Sequence, residues 1–189
     1  MIQKIKSLIF LLINLFMAVK LKNAVTIKEK GLIFRPCSKR ELRIIFDRYK
    51  IDTVNDLSLC KKLIFKLFNK KLVLVIEKNE LIVSFAFFYF NFLDLKNGTI
   101  HLGHYSVDKN YRGNGLGKNI LDYSINNYCS QKLKGISLRV SVKNKPSLKA
   151  INSFDFTIIK EYFDSQMNEI RYYGVLKCRT NKNTGNSVK

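Results

Sequence analysis

The feature that most constrains this chain is a glycine-rich loop, Tyr111–Lys118 (YRGNGLGK). It lies between a run typical of a strand, which ends at Val107, and a run typical of a helix, which begins near Gly115. Glycines let backbone N–H groups approach a ligand closely, and the positive end of the following helix attracts negative oxygens. The loop therefore predicts a site for a phosphate-bearing ligand. A plain turn, in which the glycines only supply positive φ angles, is the alternative.

Two other nucleotide-binding loops are excluded by spacing. A P-loop needs Lys and then Ser or Thr directly after its last glycine, whereas Gly117 is followed by Lys118 and Asn119. A dinucleotide-binding fingerprint needs G-x-G-x-x-G after the first strand, whereas the last two glycines here, Gly115 and Gly117, are separated by one residue and lie in the middle of the chain.

The spacing R-x-x-G-x-G, filled by Arg112, Gly115 and Gly117, resembles the acyl-CoA pyrophosphate loop of the GNAT acetyltransferase superfamily. The residues before it resemble the fourth strand of that family, with Val107 at the end of the strand and Asp108 opening the loop. The resemblance extends in outline from about residue 32 to residue 178.

A second motif resembles the same family. The segment Asn144–Phe156 (NKPSLKAINSFDF) is similar to its Asn-x-x-(Ala/Ser)…Gly-Phe segment. Asn144, Ser147 and Phe156 are in register, and Asp155 replaces the usual glycine. One helix-length and one strand-length segment separate the two motifs, as in the family.

The resemblance implies an α/β (α+β) fold, in which a mixed, mostly antiparallel central sheet is splayed at the acyl-CoA site and flanked by helices. A chain of 189 residues supports one such domain. We expect an apolar and basic leader helix in residues 1–30, the GNAT domain in residues 31–178, and a disordered tail in residues 179–189, which are rich in polar residues.

Hydrophobic periodicity and capping signals predict the elements of this domain. Helices are predicted over residues 39–49, 56–68, 115–130 and 147–154. Strands are predicted over residues 32–35, 71–77, 81–92, 100–107, 136–142, 157–163 and 169–178.

The resemblance also implies that acetyl-CoA is the acyl donor. In the family pattern the end of the fourth strand offers backbone groups to the pantetheine and the acetyl carbonyl, the loop amides hold the pyrophosphate, and the Asn of the second motif contacts the cofactor. The implied cofactor-binding residues are Val107, Arg112, Gly113, Asn114, Gly115, Leu116, Gly117, Lys118, Asn144 and Ser147.

A general base for the acceptor amine is sought among the two histidines, His101 and His104, which lie on the strand that presents the acyl group. Strict alternation places His101 and Tyr105 on one face and His104 on the other. We therefore expect His101 to be the base, although a bulge would reverse the parity. A hydrogen-bonded structural role is as good an interpretation of either histidine alone.

The usual general acid is missing from this sequence. GNAT enzymes often carry a Tyr on the helix after the conserved Asn, and counting from Asn144 puts Ile151 there. Tyr105 and Tyr111 are candidates by proximity, with Tyr105 grouped with His101 as a catalytic residue. The expected acceptor is a small primary amine, with a nucleotide-linked amino sugar as first choice. Alternatives are a protein or peptide amine, or a degenerate CoA-binding regulatory module.

Charge and cysteine content exclude other classes. The net charge of +20 comes from lysines scattered along the chain without an arginine-rich run, zinc spacing or helix-turn-helix signature. A solvated lysine surface is therefore expected, with no nucleic-acid partner. The four cysteines form no Cys-x-x-Cys pair and have no histidine at metal spacing, so we expect neither a metal nor a disulfide, but buried thiols in a reducing compartment.

The leader contains an apolar run, Leu8–Val19, with lysines on both sides. It is shorter than the ~20 residues that span a bilayer. Three interpretations follow, in order of preference: a helix packed on the domain or on a second subunit of a homodimer, a peripheral membrane contact through residues 1–22, and an export signal. Use of acetyl-CoA favours a cytoplasmic location, with or without membrane association.

Overall fold

The computed structural model describes residues 2–53 and 56–178. The strands are β1 (Ile27–Glu29), β2 (Leu32–Pro36), β3 (Val73–Lys78), β4 (Leu81–Tyr89), β5 (Thr99–Val107), β6 (Gly135–Ser141), β7 (Phe156–Asp164) and β8 (Glu169–Lys177). The helices are α1 (Ile2–Lys20), α2 (Leu42–Thr53), α3 (Leu59–Leu67), α4 (Asn69–Leu72), α5 (Phe92–Asn97), α6 (Leu116–Cys129) and α7 (Lys145–Ile151).

The strands form one sheet in the order β1-β2-β3-β4-β5-β6-β8-β7. Every neighbouring pair is antiparallel except β5 and β6, which are parallel. That parallel pairing is short, because it joins only Thr99–Leu102 to Gly135–Leu138. Beyond it β5 and β6 diverge, while β6 stays paired with β8. The predicted fold, with a mixed, mostly antiparallel sheet that is splayed between two central strands, is confirmed.

Helices cover both faces of the sheet. Phe87 on β4 stacks on Phe65 of α3, with ring centroids 4.6 Å apart, and also contacts α2. Its neighbour Phe88 points the other way and contacts Tyr128 of α6, with centroids 4.8 Å apart. Because adjacent strand residues face opposite sides, α2 and α3 lie on one face and α6 on the other. The aromatic run on β4 is therefore core, since both phenylalanines are at most 1% exposed.

The N-terminal helix α1 packs on this domain, and Asn14, the one polar residue of its apolar run Leu8–Val19, makes the buried hydrogen bonds. Asn14 is fully buried, and its amide donates to the carbonyl of Phe90 at 2.8 Å. The Phe90 N–H donates back to the Asn14 side-chain oxygen, also at 2.8 Å. Since a buried amide is costly without partners, this pair fixes the register of α1. No helix in the described residues is long and apolar enough to cross a membrane.

Several element boundaries differ from the sequence predictions. Helix α2 begins at Leu42 rather than at residue 39, because the Glu41 carboxylate pairs with Arg35 and accepts the Ser38 N–H. Strand β1, which pairs with the predicted strand β2, was not predicted. The strand predicted over residues 81–92 ends at Tyr89, because α5 follows, with a capping box between Asn91 and Asp94.

The expectation of four free thiols is wrong for two of them. Cys129 at the end of α6 and Cys178 after β8 form a disulfide, with their Cα atoms 5.6 Å apart. Their separation of 49 residues hid the pair in the sequence. The fold brings them together because Cys178 follows the strand that pairs with β6, and its N–H donates to the Lys134 carbonyl just before β6. The tail predicted over residues 179–189 lies outside the described residues.

Candidate active site

The glycine-rich loop leads into α6 with its amides uncapped. Gly115 is the N-cap residue, with φ of 74° in the left-handed region, and no side chain caps the helix. Gly113, with φ of 84°, is also left-handed. The Asn119 N–H is the first to bond back, to the Gly115 carbonyl at 3.0 Å. The amides of the first turn of α6 are therefore available to an anion.

Side chains hold the loop in this shape. The Arg112 Nε donates to the Val107 carbonyl at 3.1 Å, and the Asn114 amide donates to the Tyr111 carbonyl at 3.3 Å. Asp108 accepts from Arg48 of α2 at 2.5 Å. The Arg112 guanidinium therefore holds the loop against the end of β5, which is a structural role.

The divergence of β5 and β6 opens a cleft of about 470 Å³. It brings together residues of both sequence motifs and of the final hairpin. Its walls include Gly103, His104, Tyr105, Arg139, Ser141, Lys143, Asn144, Ser147, Ile151, Met167, Glu169 and Arg171. Three of the predicted cofactor or catalytic residues, Tyr105, Asn144 and Ser147, line this cleft.

On the α6 side, the cleft lies next to the glycine-rich loop. Val107 and Tyr105 abut the start of α6, since a Cβ built on Gly117 would lie 3.5 Å from the Tyr105 ring and 4.0 Å from Val107. Asn144 is the N-cap of α7, and its side-chain oxygen accepts from the Ser147 N–H at 3.1 Å. The Asn144 oxygen is thus committed to the helix, which leaves its amide NH₂ for a ligand.

Tyr105 lines the same cleft as Ile151, the position where a tyrosine is missing. Ile151 lines the same cleft one turn of α7 after Ser147 and is 1% exposed. Burial raises the pKa of Tyr105, and a hydrogen bond with Ser147 offsets part of that effect. Tyr105 therefore stays protonated at neutral pH and can donate a proton from the α6 side.

A bulge in β5 changes the predicted arrangement of the histidines. Phe87 pairs with His104 and Phe88 pairs with Leu102, so Gly103 is the extra residue. His101 pairs with Tyr89, which shares a face of β4 with Phe87. Both histidines therefore lie on the α2–α3 face of the sheet. The expectation that only one faces that side is wrong, and Tyr105 faces the opposite side.

The bulge has a packing cause. The Tyr89 ring lies against Gly103, where a Cβ would come within 2.3 Å of its Cε1 atom. Only glycine leaves room for the ring there. The sequence signal for the bulge was thus a glycine inside a strand, next to a strand rich in aromatic residues.

His101 is buried beneath the cleft rather than lining it. It is 3% exposed, and its Nδ1 lies 2.8 Å from the Ser137 hydroxyl. Ser137 in turn donates to Asp94 at 2.6 Å, so its oxygen is free to accept from His101. Burial, with the nearby charge of Arg139, lowers the pKa of His101 to about 3. A neutral, weakly basic imidazole in a satisfied network fits a structural role.

His104 is placed differently. It lines the cleft, its ring contacts Tyr49 and Phe85, and its Nε2 has no hydrogen-bond partner in the described part of the chain. Asp52 of α2 lies 3.9 Å from that nitrogen. Burial lowers the pKa of His104, whereas Asp52 raises it. An unoccupied imidazole nitrogen beside a carboxylate can accept a proton.

Two arginines, Arg139 and Arg171, line the cleft on the α2–α3 side, and Lys61 of α3 lies on the same face of the sheet outside it. Arg171 is balanced by Asp164 and Glu169, at 3.5 and 3.6 Å. Arg139 and Lys61 have no carboxylate partner in residues 2–53 and 56–178. Burial and the charge of Arg139 lower the pKa of Lys61, whose ammonium lies 4.9 Å from the Tyr89 ring centroid.

Sequence reasoning missed the residues that complete this side. Asp52, Lys61 and Arg139 come from three separate elements, and none belongs to either motif. The one usable signal was the alternation of polar and apolar residues in β6. An arginine in the run ISLRVSV marks a side chain outside the core. No group of three or more potential metal ligands occurs in the described residues.

The family model described as Acetyltransferase (GNAT) family matches residues 41–156, which is more than half of the chain. The protein therefore belongs to the GNAT acetyltransferase family, as its two motifs predict.

Individual relatives agree with this assignment. The chain is 31% identical over 113 residues to p20 of Bacillus licheniformis, an uncharacterized N-acetyltransferase. The match covers 58% of this chain and 57% of p20, so the chain spans a little over half the length of that relative.

Solved structures share the fold at low identity. The ribosomal-protein-S18-alanine N-acetyltransferase of Escherichia coli superposes with a TM-score of 0.64 at 15% identity, over 81% of this chain and 97% of that one. The protein yncA of Salmonella typhimurium, solved with its cofactor acetyl-CoA, superposes with a TM-score of 0.66 at 17% identity, over 82% and 98%. At such identities the likeness concerns the fold alone.

Proposed function

We propose that this protein transfers an acetyl group from acetyl-CoA to a primary amine that carries a negatively charged group. The observation that carries the proposal is the cleft between β5 and β6, which adjoins the uncapped start of α6 on one side and is lined on the other by Arg139, a cation without a carboxylate partner in the described residues. A thioester donor fits the α6 side, and an amine acceptor fits the α2–α3 side.

The donor side is supported by the loop and by α7. The backbone from Arg112 to Lys118 would receive the pyrophosphate, since its amides and the helix dipole favour anions. The backbone at Val107 would receive the pantetheine, and Asn144 and Ser147 border the path that leads into the cleft. The binding of acetyl-CoA by yncA supports the same donor here.

The two faces of β5 support a route for protons. We propose that the neutral amine of the acceptor attacks the thioester carbonyl while His104 takes a proton from its nitrogen, with Asp52 stabilising the imidazolium. When the C–S bond breaks, Tyr105 donates its phenolic proton to the departing thiolate from the opposite face. His101, which alternation favoured, stays a prediction that the variants below test.

The charge of the cleft supports an anionic acceptor. Lys61 and Arg139 lie on the side that the donor does not occupy, and neither has a carboxylate partner in the described residues. Such cations favour phosphate or carboxylate groups. A nucleotide-linked amino sugar fits this chemistry, because its diphosphate would meet the cations while its amine approaches His104.

A protein or peptide amine is the second candidate. Met167 of the β7–β8 loop is 56% exposed and lines the cleft, so an extended chain could lie against this hairpin. The likeness to an enzyme whose substrate is ribosomal protein S18 agrees with it.

The proposed site of action is the cytoplasm, where acetyl-CoA is available. The bond between Cys129 and Cys178 would be an exception among proteins of that compartment, because disulfides are rare there.

A thiol-release assay tests the proposal. The full chain is mixed with acetyl-CoA and with nucleotide-linked amino sugars, free amino sugars, polyamines or peptides, and the acetylated product is identified by mass spectrometry. We expect release above the amine-free rate, strongest for nucleotide-linked amino sugars. Peptides as the best acceptors would favour the second candidate. Tight binding of acetyl-CoA without transfer to any amine would instead identify a CoA-binding regulatory module.

A further inference from the structure

The outward face of α1 is apolar and uncovered. While Asn14 and Ala18 are fully buried against the domain, six large apolar side chains on the other side are 49–65% exposed. They follow helical spacing and so form one stripe. These residues are Ile5, Leu8, Ile9, Leu12, Phe16 and Val19.

Helix α3 extends this stripe. It packs beside α1 and exposes Leu59, Leu63 and Leu67, which recur every four residues. Their exposed fractions are 84, 45 and 53%. We call the nine side chains the α1–α3 face. Contiguous apolar surface of this kind marks an interaction site.

Charge around this face is mainly positive. Residues 1–28 contain five lysines and no acidic residue, and residues 57–76 contain another five lysines and no acidic residue. Lys62 is paired with Asp56, and Lys71 bonds to the carbonyls at the end of α1. The Lys20 ammonium lies 3.7 Å from the Phe16 ring centroid, which sets a cation at the edge of the apolar stripe.

We infer that the α1–α3 face docks on an anionic lipid bilayer. Apolar side chains would enter the headgroup boundary while the surrounding lysines meet lipid phosphates. A second copy of the chain is a poorer occupant, because a twofold contact would set each lysine-rich rim against the other without carboxylates. Since Asn14 holds α1 on the domain, the whole enzyme would lie on the surface rather than hang from a tether.

Vesicle flotation tests this inference directly. Full-length protein is mixed with phosphatidylcholine vesicles or with vesicles that also contain phosphatidylglycerol, at low and at high salt. We expect flotation with the anionic vesicles at low salt, weaker flotation at high salt because the charges are screened, and little with neutral vesicles.

A matched pair of variants locates the contact. Phe16→Glu puts a carboxylate into the stripe, whereas Phe163→Glu makes the same change on β7 at a side chain of similar exposure, 61% against 64%. We expect Phe16→Glu to reduce flotation at least about tenfold and Phe163→Glu to leave it unchanged. Acetyl-CoA affinity, measured for both, reports that the domain is folded.

Three results would overturn the inference. The wild-type protein fails to float with anionic vesicles, or Phe16→Glu floats as well as wild type, or light scattering detects a dimer that Phe16→Glu dissociates while vesicles are ignored. The last result would assign the face to a second copy.

Discussion

The two sides of β5 offer different kinds of groups to a ligand. On the α6 side the groups offered are mainly backbone amides, set by left-handed glycines at 113 and 115 and by a helix start without a side-chain cap. On the α2–α3 side they are side chains, namely His104 from β5, Asp52 from α2 and Arg139 from β6.

This difference explains which side is the more easily recognised from sequence. A backbone site needs consecutive residues with particular φ angles, so it leaves a contiguous motif. A side-chain site needs only that the fold brings distant residues together, and its spacing in the chain is arbitrary. The four predictions below test this contrast, from the largest expected effect to the smallest.

The largest effect is expected on the backbone side. Gly115→Glu should reduce acetyl-CoA affinity at least about 100-fold, because a carboxylate would face the pyrophosphate and a Cβ would strain the left-handed residue. Calorimetry on the folded variant measures this.

The control is Gly31→Glu. Gly31 has φ of 73°, almost the 74° of Gly115, and like Gly115 it has no atom within 4 Å of an added Cβ, but it lies in the β1–β2 turn. The Gly31→Glu variant should bind acetyl-CoA with the affinity of the wild-type protein. Equal loss in both variants would mean that strain, not the loop, decides affinity, and unchanged affinity in Gly115→Glu would make the loop a plain turn.

The fold was predictable because its signals are local. The glycine loop, the capping residue Asn144 and the alternation of β6 each lie within a few residues, and together they fixed the family and the splayed sheet. The start of α2 was misplaced because Glu41, which lies inside the helix predicted over residues 39–49, bonds to Arg35 on another element.

The α2–α3 side of β5 was less predictable from the sequence than the fold was. His101 was preferred on strict alternation, and one bulge at Gly103 removed that basis. The bulge depends on the Tyr89 ring, which belongs to a different strand. Such packing across strands leaves no periodic signal. The pairing of Cys129 with Cys178 was missed for the same reason.

The second prediction concerns the base. His104→Ala should lower kcat about 100- to 10,000-fold, the usual contribution of a general base, with acetyl-CoA affinity unchanged. Because the pKa of His104 is lowered by burial, the base form prevails at neutral pH, and the wild-type rate should fall only as the pH drops below about 6.5. That acid limb should disappear in the variant, as pH profiles of kcat/KM would record.

His101→Ala separates the two histidines. Its network with Ser137 and Asp94 is buried, so the variant should lose thermal stability while the enzyme that remains folded keeps most of its kcat. A large loss of kcat in His101→Ala with little change in His104→Ala would reverse the assignment and restore the choice that alternation favoured.

The third prediction concerns the acid on the α6 side. Tyr105→Phe should lower kcat about tenfold, less than loss of the base, because a thiolate with a pKa near 8.5 leaves without much help. Acetyl-CoA and acceptor KM values should change little. Tyr111→Phe is the control, since it removes a phenol from the loop that is not in the cleft. Equal losses of kcat in the two variants would show that Tyr105 does not act as the general acid.

The last prediction concerns Arg139 on the α2–α3 side of β5. Arg139→Gln should raise KM for an anionic acceptor at least about tenfold, because a charge-assisted hydrogen bond contributes about 1.5–3 kcal/mol. It should leave KM for a neutral amine unchanged, since Arg139 has no carboxylate partner in the described residues and its loss strands no carboxylate there. Arg43→Gln, at an exposed position of α2, controls for net charge. If both arginine variants raise KM equally for anionic acceptors, attraction comes from the overall charge of +20 rather than from the cleft.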